Sequence, residues 1–192
     1  MKVSPKYYLT INKIKMIKKF ESFNKKKVIV FHGLGGEPNS ERTNILRNFG
    51  YEVVYPHIDF EMEWSKDKGR SLFEIMSKLA EECDLIIGVS LGGYFGSLIG
   101  NYLGIDCILI NPALDRNKTR LDIKNLDCPH LSNKCNMEVF IGDKDTLIPK
   151  EYTLDYIRDN NIKCEVHHII GMEHRCSLNN FLDILNQSSL VV

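Results

Sequence analysis

From Lys27 onward the chain alternates short, apolar, β-branched runs with longer amphipathic stretches. This alternation is typical of repeated β–α units and predicts a parallel sheet with helices on its faces. The strands are expected at 28–32, 53–55, 85–89, 105–110, 138–141 and 164–170, and the helices at 40–50, 69–82, 91–103, 149–159 and 175–185.

Length and composition favour one ordinary globular domain. The chain has 192 residues, of which 43% are hydrophobic and 26% charged, enough for a single buried core. No run approaches the 18 or so apolar residues that span a bilayer, so we expect no integral membrane association. Residues 1–10 contain no apolar signal segment, and we therefore expect a cytoplasmic location.

Charge is distributed unevenly although the net charge is zero. Residues 1–27 hold nine Lys and one acid, which leaves 16 basic and 24 acidic residues in the remainder. We expect a basic N-terminal segment, residues 1–27, beside a single domain formed by residues 28–192. A solvated arm that pairs with its own acidic domain is the favoured interpretation, and docking to a membrane or nucleic acid is the alternative. Zero net charge argues against a nucleic-acid partner.

Cysteine and histidine spacing gives no sign of a metal or cofactor. The six cysteines contain no C-x-x-C pair, and reduced thiols are the simpler interpretation. The histidines show no H-E-x-x-H or other familiar ligand spacing. We therefore expect neither a metal nor a cofactor.

The motif with the most chemical content is Gly88-Val89-Ser90-Leu91-Gly92, a G-x-S-x-G sequence between an apolar strand and a small-residue helix. A nucleophile elbow places Ser on a strained strand-to-helix turn, and the flanking glycines leave room for close backbone approach. Ser90 is therefore the predicted nucleophile, and the Leu91 N–H at the helix start a predicted oxyanion donor. The alternative is that Ser90 merely caps the helix.

A glycine-rich loop, HGLGG from His32 to Gly36, follows the first strand directly. Its backbone N–H groups are predicted to point into the same crevice as Ser90, and that of Leu34 is the second predicted oxyanion donor. His32 and Gly33 are predicted to line the substrate pocket. A dinucleotide fingerprint would need glycine at position 38, where Pro38 stands, so that alternative is rejected.

A serine nucleophile needs a histidine base and a carboxylate that orients it. Asp145 follows the fifth predicted strand and His174 the sixth, and the carboxyl ends of parallel strands are where ligands bind. Asp143 is the alternate acid, although its place beside the strand end suits a turn residue. Cys176, two residues after His174, is a rival candidate nucleophile, but no oxyanion elbow accompanies it. The other histidines, His57, His130, His167 and His168, lack the right position in the chain.

These motifs resemble those of the α/β-hydrolase superfamily over about residues 27–185. The short length, the lack of a large lid and the Ser90-Leu91-Gly92-Gly93-Tyr94 run resemble, more narrowly, the small YqiA-like bacterial esterases. The resemblance implies a three-layer α/β sandwich with a minimal, mostly parallel sheet of about six strands, ordered 2-1-3-4-5-6.

The function expected from the motifs is hydrolysis of a small acyl ester or thioester through an acyl-serine intermediate. Peptidases and lactonases use the same motifs. Two alternatives stay open: a hydrolase-like ligand-binding or scaffold protein without turnover, and a flavodoxin-like nucleotide binder.

Residues 112–137 are too short for a full helical cap but are expected near the site. Their basic residues would suit either an anionic substrate or an ordinary solvated loop, and these are Arg116, Lys118, Arg120 and Lys124.

Overall fold

The computed structural model describes residues 25–67, 70–115 and 134–191, with all their side chains except those of 64–67. At its centre lies a six-stranded sheet in which every neighbouring pair of strands is parallel. The strands are β1 (Lys27–Phe31), β2 (Glu52–Val54), β3 (Leu85–Val89), β4 (Asp106–Ile110), β5 (Met137–Gly142) and β6 (Glu165–Ile169). Their order, β2-β1-β3-β4-β5-β6, confirms the order implied by the family resemblance.

Burial on both faces explains why the central strands are continuous apolar runs. All five residues of β3 and all six residues of β5 are buried. A parallel sheet that is covered by helices on both sides has no solvated face, so alternate polar residues are not needed. Within β5, Glu138 stands out as a charged residue that is only 3% exposed.

The described part of the chain contains six helices arranged in two layers around the sheet. They are α1 (Ser40–Asn48), α2 (Phe60–Asp67), α3 (Arg70–Ala80), α4 (Leu91–Leu103), α5 (Lys150–Asp159) and α6 (Leu178–Gln187). One apolar cluster joins α3, α4 and α5 to one face of the sheet, and a second joins α1 and α6 to the other. The three-layer α/β sandwich predicted from the resemblance is therefore confirmed.

The structure contains one helix that the sequence analysis does not predict and another that begins later than expected, and each has a side-chain cap at its start. Helix α2 was not predicted because its sequence has no clear apolar period, yet the Asp59 carboxylate accepts a hydrogen bond from Met62 N at 2.9 Å, as an N-cap does. Helix α6 was expected to begin at Arg175. It begins three residues later because Ser177 caps it, with its hydroxyl accepting from Asn180 N.

Some expectations fall on residues outside the described ranges. These are the basic segment up to residue 24, His130, and the four basic residues of the long loop, Arg116, Lys118, Arg120 and Lys124. The division into a basic segment and a single domain of residues 28–192 stays a prediction. Among the helices that the structure describes, none has the length and apolar character needed to cross a membrane.

Candidate active site

Ser90 occupies a strained turn between β3 and α4. Its backbone has φ 54° and ψ −118°, a left-handed φ that residues with a Cβ rarely adopt. Backbone hydrogen bonds hold this conformation: Ser90 N donates to Ile110 O at 3.0 Å, and Ser90 O accepts from the N–H groups of Gly93 and Ala113. The strand-to-helix elbow expected from the sequence is thus present, and the Ser90 hydroxyl makes no capping bond to α4.

Glycine at position 92 lets α4 approach the first strand closely. A Cβ added to Gly92 would lie 2.2 Å from Phe31 O and 2.4 Å from His32 O, both backbone atoms that cannot easily move. A Cβ on Gly88 would lie 2.6 Å from Gly92 O. Both glycines of the motif are therefore required by space, which holds Ser90 beside the loop that follows β1.

His174 lies in the loop after β6 and is placed between Ser90 and Asp145. Its Nε2 is 3.0 Å from Ser90 Oγ, and its Nδ1 is 2.8 Å from Asp145 Oδ2. An ionised carboxylate can only accept, so Nδ1 carries the proton in this pair, and Nε2 accepts from the Ser90 hydroxyl. The structure brings these three residues together in the order that a serine nucleophile requires.

Asp145 is held by more than its histidine. Its side chain is fully buried, and its Oδ1 accepts from Leu147 N at 2.9 Å and Ile148 N at 2.8 Å. The alternate acid, Asp143, is exposed and accepts from Gly171 N at 2.6 Å, which ties the two turns together. The structure therefore places Asp145 against His174 and gives Asp143 the turn position.

Asn111 connects the loops that carry the acid and the histidine, and sequence reasoning missed it. Its Oδ1 accepts from Gly142 N at 2.7 Å, and its Nδ2 donates to Glu173 O at 2.9 Å and His174 O at 3.3 Å. It is 2% exposed and has φ 43°. The Asn-Pro pair signalled only the end of β4. An asparagine directly after the apolar run of a central strand was the available sequence signal.

The loop after β1 is fixed by His32. The ring donates from Nδ1 to Gly33 O at 2.8 Å, and Nε2 accepts from Ile58 N at 3.0 Å, which requires the neutral imidazole. Burial lowers the pKa of His32 below its ordinary value of 6.5, in keeping with that state. His32 therefore holds the loop from within, rather than presenting its ring to substrate.

The two predicted oxyanion donors belong to segments next to Ser90, since Leu91 follows it directly and Leu34 follows Gly33. A Cβ added to Gly33 would be 3.4 Å from Ser90 Oγ, which shows how closely the loop approaches the hydroxyl. Leu34 and Leu91 both line the cavity above Ser90. Within the described residues, neither backbone N–H donates to a protein acceptor. Both are therefore available to a substrate oxygen.

A cavity of about 740 Å³ opens in front of Ser90 and His174. Its apolar lining includes Leu34, Ile58, Phe60, Leu91, Ala113, Leu147 and Ile148, and its charged lining Glu37, Asp59, Glu61 and Arg175. The remaining described histidines are elsewhere or differently engaged: His57 lies 2.7 Å from Glu37 across the rim, while His167 and His168 lie within β6.

Cys176 is a poor nucleophile in this setting. It is 5% exposed, and burial raises the pKa of its thiol to about 11. A reactive cysteine needs the opposite shift, because the thiolate is the nucleophile. The rival Cys–His arrangement therefore finds no support.

Comparison with known families agrees with this geometry. The sequence profile of an uncharacterised protein family, UPF0227, matches residues 27–123, which include the β1 loop and the Ser90 elbow. The chain belongs to this family. The match confirms the resemblance to YqiA-like proteins drawn from the motifs. A search of the curated proteins finds no matching sequence.

Three solved structures share the fold of this UPF0227 member at low sequence identity. A protein of the α/β-hydrolase superfamily from Xanthomonas campestris pv. campestris has a TM-score of 0.62 and 14% identity, over 85% of this chain and 100% of that one. An α/β serine hydrolase homologue from Coxiella burnetii has a TM-score of 0.58 and 14% identity, over 85% of each chain. The esterase domain of a Rhodothermus marinus protein gives the same four values. These neighbours establish the α/β-hydrolase fold, which decides against the flavodoxin-like alternative.

Proposed function

We propose that this protein is a serine hydrolase that cleaves an acyl ester or thioester through an acyl-Ser90 intermediate. The observation that supports this proposal most directly is the pair of hydrogen bonds that links Asp145 to His174 and His174 to Ser90. Ser90 and His174 also line the cavity. The structural neighbours include a serine hydrolase homologue and an esterase domain, which favours the same class.

In the first step Ser90 Oγ attacks the carbonyl carbon of the substrate while its proton passes to His174 Nε2. The imidazolium that forms is stabilised by the buried Asp145 carboxylate 2.8 Å from Nδ1. Because Leu147 N and Ile148 N hold the other carboxylate oxygen, Asp145 enters the reaction already oriented. The proposal therefore assigns His174 as the base and Asp145 as the orienting acid.

The carbonyl oxygen becomes an oxyanion as the new C–O bond forms. The N–H groups of Leu34 and Leu91, which line the same cavity as Ser90, are assigned as its donors, and Leu91 adds the positive end of helix α4. Donors fixed by the backbone need no reorganisation during the reaction. Each is expected to contribute about 10²- to 10³-fold to the rate.

Collapse of the tetrahedral intermediate breaks the bond to the alcohol or thiol, which leaves with the proton from His174. Water then repeats the sequence: His174 accepts its proton, its oxygen attacks the acyl carbon, and Ser90 is released with the acid product. The apolar walls formed by Ile58, Phe60 and Leu147 suit an acyl chain, because burying each CH₂ group contributes about 0.8 kcal/mol.

The test is covalent labelling by a fluorophosphonate probe together with turnover of p-nitrophenyl esters and acyl thioesters of increasing chain length. We expect wild type to be labelled and Ser90→Ala to be unlabelled and inactive. Ser97→Ala is the matched control, because Ser97 lies in the same helix, is 1% exposed and donates to Tyr94 O at 2.7 Å. That variant should retain labelling if it remains folded.

Circular dichroism separates loss of chemistry from loss of fold in each variant. Folded wild type that neither reacts with the probe nor turns over any ester would contradict the proposal. In that case ligand binding without turnover becomes the preferred function. Labelling that survives Ser90→Ala and disappears in Cys176→Ser would instead identify the thiol as the nucleophile.

A further inference from the structure

A second group of chemically active side chains lies at the opposite edge of the sheet, where β5 and β6 begin. Glu138, Glu165 and His167 each offer one ligand atom, and the three atoms lie within 4.8 Å of one another. The register explains why they meet: Glu138 pairs with Glu165, and His167 follows two residues later on the same face of β6. We call these three residues the amino-edge cluster.

Two polar atoms of the amino-edge cluster are buried and have no hydrogen-bond partner in the part of the chain that the structure describes. Glu138 is 3% exposed, and its Oε1 accepts from the backbone N–H and the hydroxyl of Ser189. Its Oε2 and His167 Nε2 are both buried and make no hydrogen bond among the described residues. Leaving a buried carboxylate oxygen unsatisfied is costly, and buried charges are normally paired or bind metals.

The imidazole of the cluster is held in a fixed orientation. The His167 ring stacks on Phe140, with centroids 4.4 Å apart and planes inclined by 11°. Its Nε2 then lies 3.6 Å from Glu165 Oε1. Two atoms that bind the same ion, each about 2.1 Å from it, are typically separated by a distance close to this 3.6 Å. Small rotations of the side chains would therefore complete the geometry.

We propose that Glu138, Glu165 and His167 bind a divalent transition-metal ion, for which Zn²⁺ is the best match. One imidazole nitrogen with two carboxylate oxygens is a ligand set that Zn²⁺ accepts, with water at the remaining position. Mg²⁺ and Ca²⁺ prefer oxygen ligands alone, and a site for soft Cu(I) would use sulfur. The exposed Glu165 side chain leaves a path for the ion to enter.

Nearby charges contribute little attraction of their own to a cation at the amino-edge cluster. Lys26 and Lys163 line the cleft of about 730 Å³ that adjoins Glu138 and Glu165. The same lining includes Asp106, so three acidic and two basic residues share the cleft, and their charges attract a hard cation only weakly. Affinity must therefore come from directed bonds, and His167 supplies the bond that distinguishes a transition metal from other cations.

The ion would stabilise the fold by cross-linking separate segments of the chain. It would join β5 to β6 and, through the Glu138–Ser189 hydrogen bonds, to the segment after α6. Glu138 and Gly142, which opens the Asp145 turn, are roughly 13 Å apart at the usual rise of a strand. The proposed site is thus separate from Ser90 and takes no part in its chemistry.

No sequence pattern indicates this site, and the sequence analysis expects no metal. Its ligands come from two strands that are adjacent in the sheet but separated by helix α5 in the chain. No short spacing motif can represent such a set.

The experiment is a calorimetric titration of ZnCl₂ into tag-free, EDTA-treated, folded protein, with thermal unfolding and Co²⁺ absorption in parallel. We expect wild type to bind one equivalent that raises Tm. Glu138→Gln and His167→Gln should weaken that binding by more than about tenfold, since removing residues that only support a ligand already costs 10- to 100-fold. Co²⁺ should give visible ligand-field bands that these variants lose.

Two further variants keep the test decisive. Glu165→Gln changes an exposed side chain, so it should stay folded while losing affinity, even if Glu138→Gln unfolds. His168→Gln, an exposed histidine on the same strand, should bind like wild type. The proposal is overturned if wild type binds no Zn²⁺, if Glu165→Gln and His167→Gln bind it unchanged, or if Co²⁺ shows thiolate charge-transfer bands that indicate cysteine ligands.

Discussion

The sheet buries a carboxylate beside a histidine in two places: at the carboxyl edge, where its parallel strands end, and at the amino edge, where they begin. The hydrogen bonds made by the two carboxylates differ. At the carboxyl edge, Asp145 has both oxygens engaged, one by His174 and the other by two backbone N–H groups. At the amino edge, Glu138 has one oxygen engaged by Ser189, and the other has no partner among the described residues. Both residues are nearly inaccessible to solvent, at 6% and 3% exposure.

This difference separates a preorganised site from an incomplete one. Every polar contact of Asp145 comes from the protein itself, so the geometry around His174 is set before any substrate arrives. In the amino-edge cluster, Glu138 Oε2 and His167 Nε2 are buried and make no hydrogen bond among the described residues, an arrangement that a cation would complete. The predictions below test this contrast, beginning with the change that should have the greatest effect.

Replacing each carboxylate by its amide should have opposite consequences at the two edges. Asp145→Asn should lower kcat by about 10⁴-fold, because an amide cannot hold His174 in the tautomer that accepts the Ser90 proton. Glu138→Gln should leave kcat within about twofold of wild type, since it lies at the far edge, while Zn²⁺ affinity falls. Steady-state ester hydrolysis measures both variants.

The two variants, Asp145→Asn and Glu138→Gln, serve as controls for each other, because each is assayed for both activity and metal binding. Asp145→Asn should bind Zn²⁺ as wild type does. A comparable loss of kcat in folded Glu138→Gln would mean that the two edges are coupled and that the separation argued above is wrong.

The next effect is steric and concerns the close approach at the carboxyl edge. Gly92→Ala should lower the free energy of unfolding by about 1–3 kcal/mol, because its Cβ would lie 2.2 Å from Phe31 O and force backbone to move. Gly96→Ala, one turn along the same helix, meets Ile86 Cγ2 at 3.2 Å, a side-chain atom that can shift. Urea unfolding of both variants should rank Gly92→Ala as the less stable, and equal stabilities would contradict the packing argument.

Asn111 tests whether the carboxyl edge depends on positioning as well as on reacting groups. Asn111→Gly preserves the left-handed φ and removes the links to Gly142 and to the carbonyls of Glu173 and His174. We expect kcat to fall roughly 10- to 100-fold with KM nearly unchanged, because small misplacements of reacting groups have effects of that size.

A purely structural role for Asn111 would give a different result. Stability would fall, while kcat per folded molecule and the pH profile of kcat would match wild type. Asn111→Ala is the companion variant: it loses the same bonds and also places a Cβ at φ 43°, so it should be less stable than Asn111→Gly.

The parts of this molecule that the sequence revealed are those encoded in continuous segments. Apolar runs predicted six strands, and the G-x-S-x-G motif predicted the elbow at Ser90, because strand and turn signals are local. His174 and Asp145 followed from chain order and the geometry of parallel strands. Their proximity is a fact of the fold, and their catalytic roles stay a prediction.

Contacts that depend on strand pairing could not be predicted from the sequence. Asn111 joins loops that lie 31 and 62 residues further along the chain. The amino-edge cluster depends on the β5–β6 register, where a one-residue slip would send Glu165 and His167 to the other face. Helix α2 was missed for a different reason, since its cap at Asp59 outweighs a weak apolar pattern.

The smallest expected effect concerns the pH dependence of stability through His32. Burial lowers its pKa in the folded state below the ordinary 6.5, so in acid the unfolded chain binds more protons than the folded one. The stability that neutral His32 contributes is therefore complete above pH 6.5 and is lost as pH falls below it, by at most about 1.4 kcal/mol per pH unit.

His32→Gln keeps an acceptor for Ile58 N and cannot titrate, so its unfolding free energy should fall less steeply. His57→Gln, which changes an exposed ring 6.0 Å away, should keep the wild-type slope. Urea unfolding between pH 5 and 8 compares the three proteins, and parallel curves for wild type and His32→Gln would show that the charged imidazole is tolerated in the folded loop.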